Sequence, residues 1–230
     1  RQTKEAGIKP ILGVEAYFSP TDRFDRRAKK TREEADSIYN HLIILGKDQN
    51  GLNNLLAANR IAWTEGFYLK PRWDMDLLKE FSEGLIVTSG CLNGPIAKAI
   101  DRDDYEAAEK WAIDFKDVFG DDFYIEVQTH NPDKINTGLF DIADKFGIKP
   151  VVTCDCHHAS QDDAVMQEIF LILSTHPKQG KGVDLTKAQK MDLLERFDYI
   201  YPDRKMTFKD FDLYLQSHVE KVDAMIENGF

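Results

Sequence analysis

The sequence is poor in cysteine and in long apolar runs, and each shortage excludes a class of protein. Three cysteines among 230 residues are too few and too unevenly spaced for a disulfide framework, which favours a reducing, cytoplasmic environment. The longest apolar runs, such as LIIL at 42–45, are far too short to cross a bilayer. No charged, apolar and small-residue leader opens the chain, so we expect neither a secretion signal nor a membrane partner.

Positive charge is also in short supply. The 40 Asp and Glu residues outnumber the 30 Lys and Arg residues, and the formal net charge is −10. A free-standing nucleic-acid binder usually has a basic surplus, so the chain alone is not expected to bind DNA strongly. An acidic chain can still belong to a DNA enzyme whose neighbouring region supplies a basic groove. Because the chain opens on Arg1 rather than Met, we interpret it as part of something longer.

Short β-branched runs alternate with amphipathic stretches along most of the chain. We predict strands in five runs: ILGVE (11–15), HLIILGK (41–47), EGLIVTSGC (83–91), DFYIEVQTH (122–130) and KPVVTCDCH (149–157). We predict helices between them at 51–63, 105–120 and 136–150. In the first helix, Leu52, Leu55 and Leu56 are predicted to share the packed face. The alternation is typical of a parallel α/β sheet or barrel, whose chemistry collects at the C-terminal ends of the strands.

Two segments interrupt this alternation. Residues 19–37 are a charged run, interpreted as a solvated excursion between strands. Residues 176–187 form a Gly- and Lys-containing loop of the kind that separates units, and the segment after it is mainly helical.

The segment PVVTCDCHHA, residues 150–159, concentrates potential metal ligands. Alternation along a strand would place Cys154 and Cys156 on the apolar face and Asp155 and His157 together on the other. We therefore predict buried, inert cysteines and an Asp–His pair that can bind one divalent ion. An Asp-x-His pair alone is a weak indication, because exposed strand ends often carry such residues.

Three more ionisable residues strengthen that indication, because they also lie at strand ends. Glu15 and Cys91 end two predicted strands, and His41 begins another. Mixed nitrogen, oxygen and sulfur donors suit zinc, manganese or iron better than magnesium or calcium. Each residue also has a structural interpretation, as an exposed carboxylate, a hydrogen-bonded histidine or a buried cysteine.

Several segments, taken in order, resemble a known family. They are GIKPILGVEAY, YNHLIILGKDQNGLNNLL, EGFYLKPRWDMDLL, EGLIVTSGCLNGPI, FYIEVQTH and PVVTCDCHHAS. Together they resemble the PHP (polymerase and histidinol phosphatase) domain of bacterial replicative DNA polymerase III alpha subunits. The resemblance implies an α/β fold: an incomplete, distorted (β/α)7 barrel of the PHP type over residues 1–178, lacking its N-terminal strands. A mainly helical connection toward the polymerase core would follow at residues 179–230.

The resemblance also implies a metal site. Five of the family's ligand positions correspond to Glu15, His41, Cys91, Asp155 and His157. The other ligands belong to H-x-H and T-D-H strands that come earlier in the family, and this chain starts after both. His130 ends a strand without being a family ligand, so we predict a supporting role behind the ligands.

The implied function is metal-dependent phosphoester hydrolysis, such as a 3′-to-5′ exonuclease, with zinc or manganese. The parent protein would be a cytoplasmic, magnesium-dependent DNA polymerase acting on primed DNA template and deoxynucleoside triphosphates. A proofreading subunit and a sliding clamp are expected partners, and the polymerase carboxylates would lie outside this chain. Two alternatives stay open: a stand-alone phosphatase of the histidinol-phosphatase type, and a catalytically silent scaffold that docks a proofreading subunit.

Two basic residues in YLKPRW have an open interpretation. Lys70 and Arg72 would either contact a phosphate backbone or belong to a solvated loop near a helix start.

Overall fold

The structure, a computed structural model, describes residues 2–26, 39–204, 207–209 and 211–230. Most of the charged run at 19–37 therefore lies outside the described residues. The chain forms two compact units. Unit 1 comprises Arg1–Val127 and Asn131–Val152, and unit 2 comprises Gln128–His130 and Thr153–Phe230.

The described strands and helices largely follow the predicted alternation. The strands are β1 (Gly13–Phe18), β2 (Asn40–Gly46), β3 (Phe67–Tyr68), β4 (Lys70–Trp73), β5 (Leu85–Thr88), β6 (Phe123–Gln128) and β7 (Lys149–Thr153). The helices are α1 (Gln2–Glu5), α2 (Gln49–Thr64), α3 (Met75–Glu80), α4 (Pro95–Asp101), α5 (Tyr105–Phe119), α6 (Asp133–Phe146), α7 (Ala164–Thr175), α8 (Leu185–Ala188), α9 (Leu193–Ile200) and α10 (His218–Glu227). Across the described ranges, none of these helices combines the length and hydropathy that a membrane span needs.

The strands form one mixed sheet in the order β3-β4-β1-β2-β5-β6-β7. β1 pairs in parallel with β4, and β5 pairs in parallel with β6, but β2 runs antiparallel to both β1 and β5. The α/β prediction is confirmed, but the sheet is mixed rather than parallel. Because β2 is reversed, its first residues lie beside the C-terminal ends of β1 and β5.

The core of unit 1 is built from alternating strand residues and the inner faces of helices. In β2, Leu42 and Ile44 are fully buried. In α2, Leu55, Ala58 and Ala62 form the buried stripe, at the three- and four-residue spacing of one helix face. The predicted packing of Leu56 is wrong: it is 59% exposed, because it lies about 100° around the helix from Leu55.

The regular structure of unit 2 consists mostly of helices α7–α10, and the unit contains a buried ion pair. Glu168 of α7 is 1% exposed and accepts hydrogen bonds from Arg204 Nη2 at 3.3 Å and from Thr207 Oγ1 at 2.9 Å. The backbone N–H of Phe208 also donates to this carboxylate, at 2.6 Å. Arg204 makes a second ion pair, from Nη1 to Asp198 at 2.6 Å. These contacts hold the chain around residue 208 against α7.

The division between units falls at Val152 and Thr153, so α7 lies in unit 2. The domain boundary predicted near residue 178 stays a prediction, because compactness and family membership need not divide the chain at the same place.

Candidate metal centre

Pairing between β1 and β2 brings Glu15 and His41 together. In the antiparallel register, Tyr17 lies opposite His41 and Glu15 lies opposite Ile43. Glu15 and His41 are therefore diagonal neighbours on one face of the sheet, a separation that long side chains can bridge. The contact is made, because His41 Nδ1 lies 2.8 Å from a carboxylate oxygen of Glu15.

A tight turn after β5 adds Cys91 to this pair. Gly90 has a φ of +76°, and a Cβ at this position would lie 2.5 Å from the carbonyl oxygen of His41. Only glycine permits both the backbone conformation and so close an approach. The backbone N–H of His41 donates to the carbonyl of Asn93 at 3.0 Å, which fastens the turn to the start of β2. Cys91 Sγ consequently lies 3.6 Å from His41 Nδ1.

The three side chains form a cluster with the composition of a transition-metal site. One donor atom from each of Glu15, His41 and Cys91 lies within 4.8 Å of the others. The side chain of Glu15 is 48% exposed and that of His41 is 23% exposed, while Cys91 is only 9% exposed. Ligands about 2.0–2.3 Å from one tetrahedral ion are themselves roughly 3–4 Å apart, so modest side-chain movements would seat an ion. Mixed oxygen, nitrogen and sulfur donors of this kind are typical of sites for divalent transition metals.

Two tyrosines that lie beside the cluster were not predicted as site residues from the sequence. The ring of Tyr17 meets the His41 ring edge-on with centroids 5.5 Å apart. The ring of Tyr39 is parallel to His41 at 6.3 Å and edge-on to Tyr17 at 4.8 Å. Two-residue alternation could have identified both, because Tyr17 follows Glu15 by two positions and Tyr39 precedes His41 by two.

The structure separates the two basic residues of YLKPRW. Arg72 is fully buried, and its guanidinium donates to the backbone carbonyls of Gly66, Asp25 and Arg23 at 3.2, 2.7 and 2.8 Å. Burial lowers the pKa of Arg72. Neither predicted role, phosphate contact or solvated loop, fits this internal arginine. Lys70 is different, because its Nζ lies over the ring of Tyr17, 4.9 Å from the centroid.

Asp155 and His157 lie in unit 2, in a loop rather than on a strand. β7 ends at Thr153, and Asp155 has a φ of +45°, so the predicted alternation does not extend through this segment. His157 Nδ1 lies 2.6 Å from the carbonyl oxygen of Asp155. Because a carbonyl only accepts, this contact favours the neutral tautomer with the proton on Nδ1, which leaves the lone pair of Nε2 for a metal ion. The backbone N–H of His157 donates to Leu213.

The same loop corrects the prediction for the two cysteines. Cys154 is buried as expected, but Cys156 is exposed and its Sγ donates to the carbonyl of His158 at 3.1 Å. The positive φ at Asp155 turns the chain, which removes Cys156 from the apolar face.

His130 lies in unit 2 within electrostatic range of Asp155 and His157. Burial lowers the pKa of His130, and the charges of Asp155 and Asp212 oppose that shift. Its ring meets Phe211 edge-on at 5.8 Å. The supporting role predicted for His130 stays a prediction.

Comparison with known proteins shows the family. A model of the PHP domain matches residues 1–130. The chain belongs to the PHP domain family. The matched region contains Glu15, His41 and Cys91, so the clustered side chains lie within the PHP domain.

Curated relatives extend the similarity beyond that region. DNA polymerase III subunit alpha of Aquifex aeolicus is 41% identical over 174 residues, covering 74% of this chain and 15% of that protein. The Thermus aquaticus subunit is 40% identical over 172 residues, covering 74% and 14%. The Chlamydia muridarum subunit is 35% identical over 235 residues, covering 90% and 18%. The resemblance to alpha-subunit PHP domains is thereby confirmed, and the chain spans less than a fifth of these relatives.

Proposed function

We propose that this PHP chain is part of a cytoplasmic replicative DNA polymerase and carries a metal-dependent phosphoesterase site. The names of the relatives support the first part, since all three are DNA polymerase III alpha subunits. The parent enzyme would use magnesium, primed DNA template and deoxynucleoside triphosphates, with a sliding clamp and a proofreading subunit as partners. The phosphoester substrate of the PHP site would be the 3′ end of a DNA strand.

The observation that carries the phosphoesterase proposal is the cluster of Glu15, His41 and Cys91. One carboxylate oxygen, one ring nitrogen and one sulfur converge on a partly exposed face of the sheet. We assign these three residues of unit 1 as ligands of zinc or manganese. Asp155 and His157, which belong to unit 2, are also proposed as metal ligands. A bound ion of this kind lowers the pKa of a coordinated water and stabilises charge on phosphoryl oxygens.

The protein's own contribution is to hold the donor atoms in place before an ion arrives. The β1–β2 register places Glu15 beside His41, and the glycine turn places Cys91 beside the same ring nitrogen. The carbonyl of Asp155 selects the His157 tautomer whose Nε2 can ligate. Such prior orientation reduces the entropy lost when a metal binds.

The test measures metal content and hydrolysis on the same samples. The chain and the full-length polymerase that contains it are loaded with zinc or manganese, and bound metal is measured by mass spectrometry. Hydrolysis is followed with a 5′-labelled single-stranded oligonucleotide and with a small phosphomonoester. We expect His41→Ala and Asp155→Ala to lower metal content and oligonucleotide shortening together. His218→Ala, which changes an exposed histidine of α10, is the matched control.

Each outcome has a distinct meaning. Metal content unaffected by His41→Ala and Asp155→Ala would refute the ligand assignment. Bound metal without hydrolysis in the full-length polymerase would favour the scaffold alternative. Metal-dependent turnover of the phosphomonoester without oligonucleotide shortening would favour the phosphatase alternative.

A further inference from the structure

We propose that Lys70, Tyr17 and Tyr39 form a subsite that binds the nucleoside monophosphate unit of the substrate beside the metal centre. This inference rests on the proposed phosphoesterase function and names the residues that would hold its substrate. All three residues belong to unit 1. The two tyrosine rings adjoin the ring of His41, and Lys70 adjoins the ring of Tyr17.

The first support is position. Tyr17 shares a strand face with Glu15 and lies directly opposite His41 in the β1–β2 register. On its other side β1 pairs with β4, where Tyr17 lies opposite Arg72. Lys70 precedes Arg72 by two residues, so alternation directs its side chain to the same face as Tyr17. The ammonium over the Tyr17 ring agrees with this geometry.

The second support is charge. Lys47, Lys110 and Lys145 on the surface of unit 1 each pair with a carboxylate at 2.5–2.7 Å. Lys70 makes no ion pair with any described residue, and its contact is the π face of Tyr17. A cation–π contact holds an ammonium in place without neutralising it. The positive charge therefore stays available to an anion such as a phosphate.

The third support is the pair of tyrosine rings. Tyr17 and Tyr39 are half-buried and meet edge-on, which fixes both rings beside the metal cluster. Bases stack on such rings with little sequence preference, and each stacked base contributes about 1–3 kcal/mol in other proteins. A cation for the phosphate and rings for the base together match a nucleotide better than inorganic phosphate.

Binding of dAMP provides a readout that does not depend on catalysis. Isothermal titration calorimetry on the zinc-loaded and manganese-loaded chain compares dAMP, inorganic phosphate and deoxyadenosine. We expect Lys70→Met to weaken dAMP and phosphate binding about tenfold, because a charge-assisted hydrogen bond is lost. Tyr39→Leu should weaken dAMP and deoxyadenosine about fivefold and leave phosphate unchanged.

Lys79→Met is the matched control, because Lys79 is an exposed lysine of α3 in the same unit. Metal content and circular dichroism of every variant must equal those of the wild type. Equal dAMP affinities for Lys70→Met and Lys79→Met would overturn the inference, as would a wild type that does not bind dAMP at millimolar concentration with either metal. Lys70-dependent dAMP binding without hydrolysis by the full-length polymerase would support the subsite and contradict only the proposed function.

Discussion

Two carboxylates contact the same arginine in unit 2, and we expect them to contribute very differently to stability. Glu168 is 1% exposed and accepts hydrogen bonds from Arg204, Thr207 and the Phe208 backbone. Glu168→Gln would leave Arg204 with only the partly exposed Asp198 as a charged partner, and breaking a buried ion pair costs about 3–5 kcal/mol. Glu168→Gln is therefore expected to lower the free energy of unfolding of unit 2 by about that amount.

Asp198→Asn is the matched comparison. Asp198 binds Arg204 at 2.6 Å, closer than Glu168 does, and also binds Lys209 at 2.6 Å. Its side chain is 46% exposed, however, and ion pairs in water contribute only about 0.2–1 kcal/mol each. If distance governed the effect, Asp198→Asn would be the more damaging change. If burial governs the loss of stability, Glu168→Gln will be the more damaging change.

The assay must separate the two units. All three tryptophans, Trp63, Trp73 and Trp111, lie in unit 1, so their fluorescence during urea unfolding reports that unit. Hydrogen exchange of peptides covering 193–204 and 207–213 reports unit 2 at the residues around Arg204 and Phe208. The reasoning from burial would be refuted if Glu168→Gln and Asp198→Asn lost equal hydrogen-exchange protection in these peptides. It would also be refuted if the protection lost in Glu168→Gln corresponded to less than about 1 kcal/mol.

Three further predictions concern single residues. Arg72→Met should destabilise unit 1 by about 3 kcal/mol, measured by tryptophan fluorescence in urea, because three backbone carbonyls lose their buried donor. Gly90→Ala should weaken metal binding at least about tenfold in equilibrium dialysis, because its Cβ would clash with the His41 carbonyl and displace Cys91. Hydrogen bonding by Lys209 lowers the pKa of Asp198 below its ordinary 3.8. The stability difference between wild type and Asp198→Asn should therefore be constant above about pH 5. In acid titrations this difference should vanish as the pH falls through the pKa of Asp198 in the folded protein.

The residues that cluster in unit 1 were easier to predict from the sequence than the directions of the strands that carry them. Glu15, His41 and Cys91 lie near the ends of apolar runs and correspond to ligand positions implied by the family resemblance, and the structure brings their donor atoms within 4.8 Å of one another. Strand direction was missed, because alternation of apolar runs and helices carries no record of whether neighbouring strands are parallel. The reversal of β2 explains why a histidine at the start of a strand joins a cysteine beyond the end of another.

The remaining errors have local or long-range causes. The prediction of a strand beyond Thr153 is wrong because Asp155 has a positive φ. This backbone conformation belongs to the folded loop and cannot be read from the residue type. The burial of Arg72 depends on carbonyls at Arg23 and Asp25, almost fifty residues earlier in the chain. No periodicity within YLKPRW indicates those partners. Tyr17 and Tyr39, by contrast, could have been predicted from two-residue alternation, because each lies two positions from a predicted ligand.

The alternation of β2 makes the proposed metal site depend on the correct strand register. Leu42 and Ile44 enter the core, and the same two-residue period places His41 on the opposite face beside Glu15. A slip of one residue between β1 and β2 would expose both apolar side chains and carry the imidazole away from its carboxylate. A molecule with the wrong register would then be unable to hold an ion through these residues. Metal binding would therefore distinguish correctly paired molecules from misfolded ones.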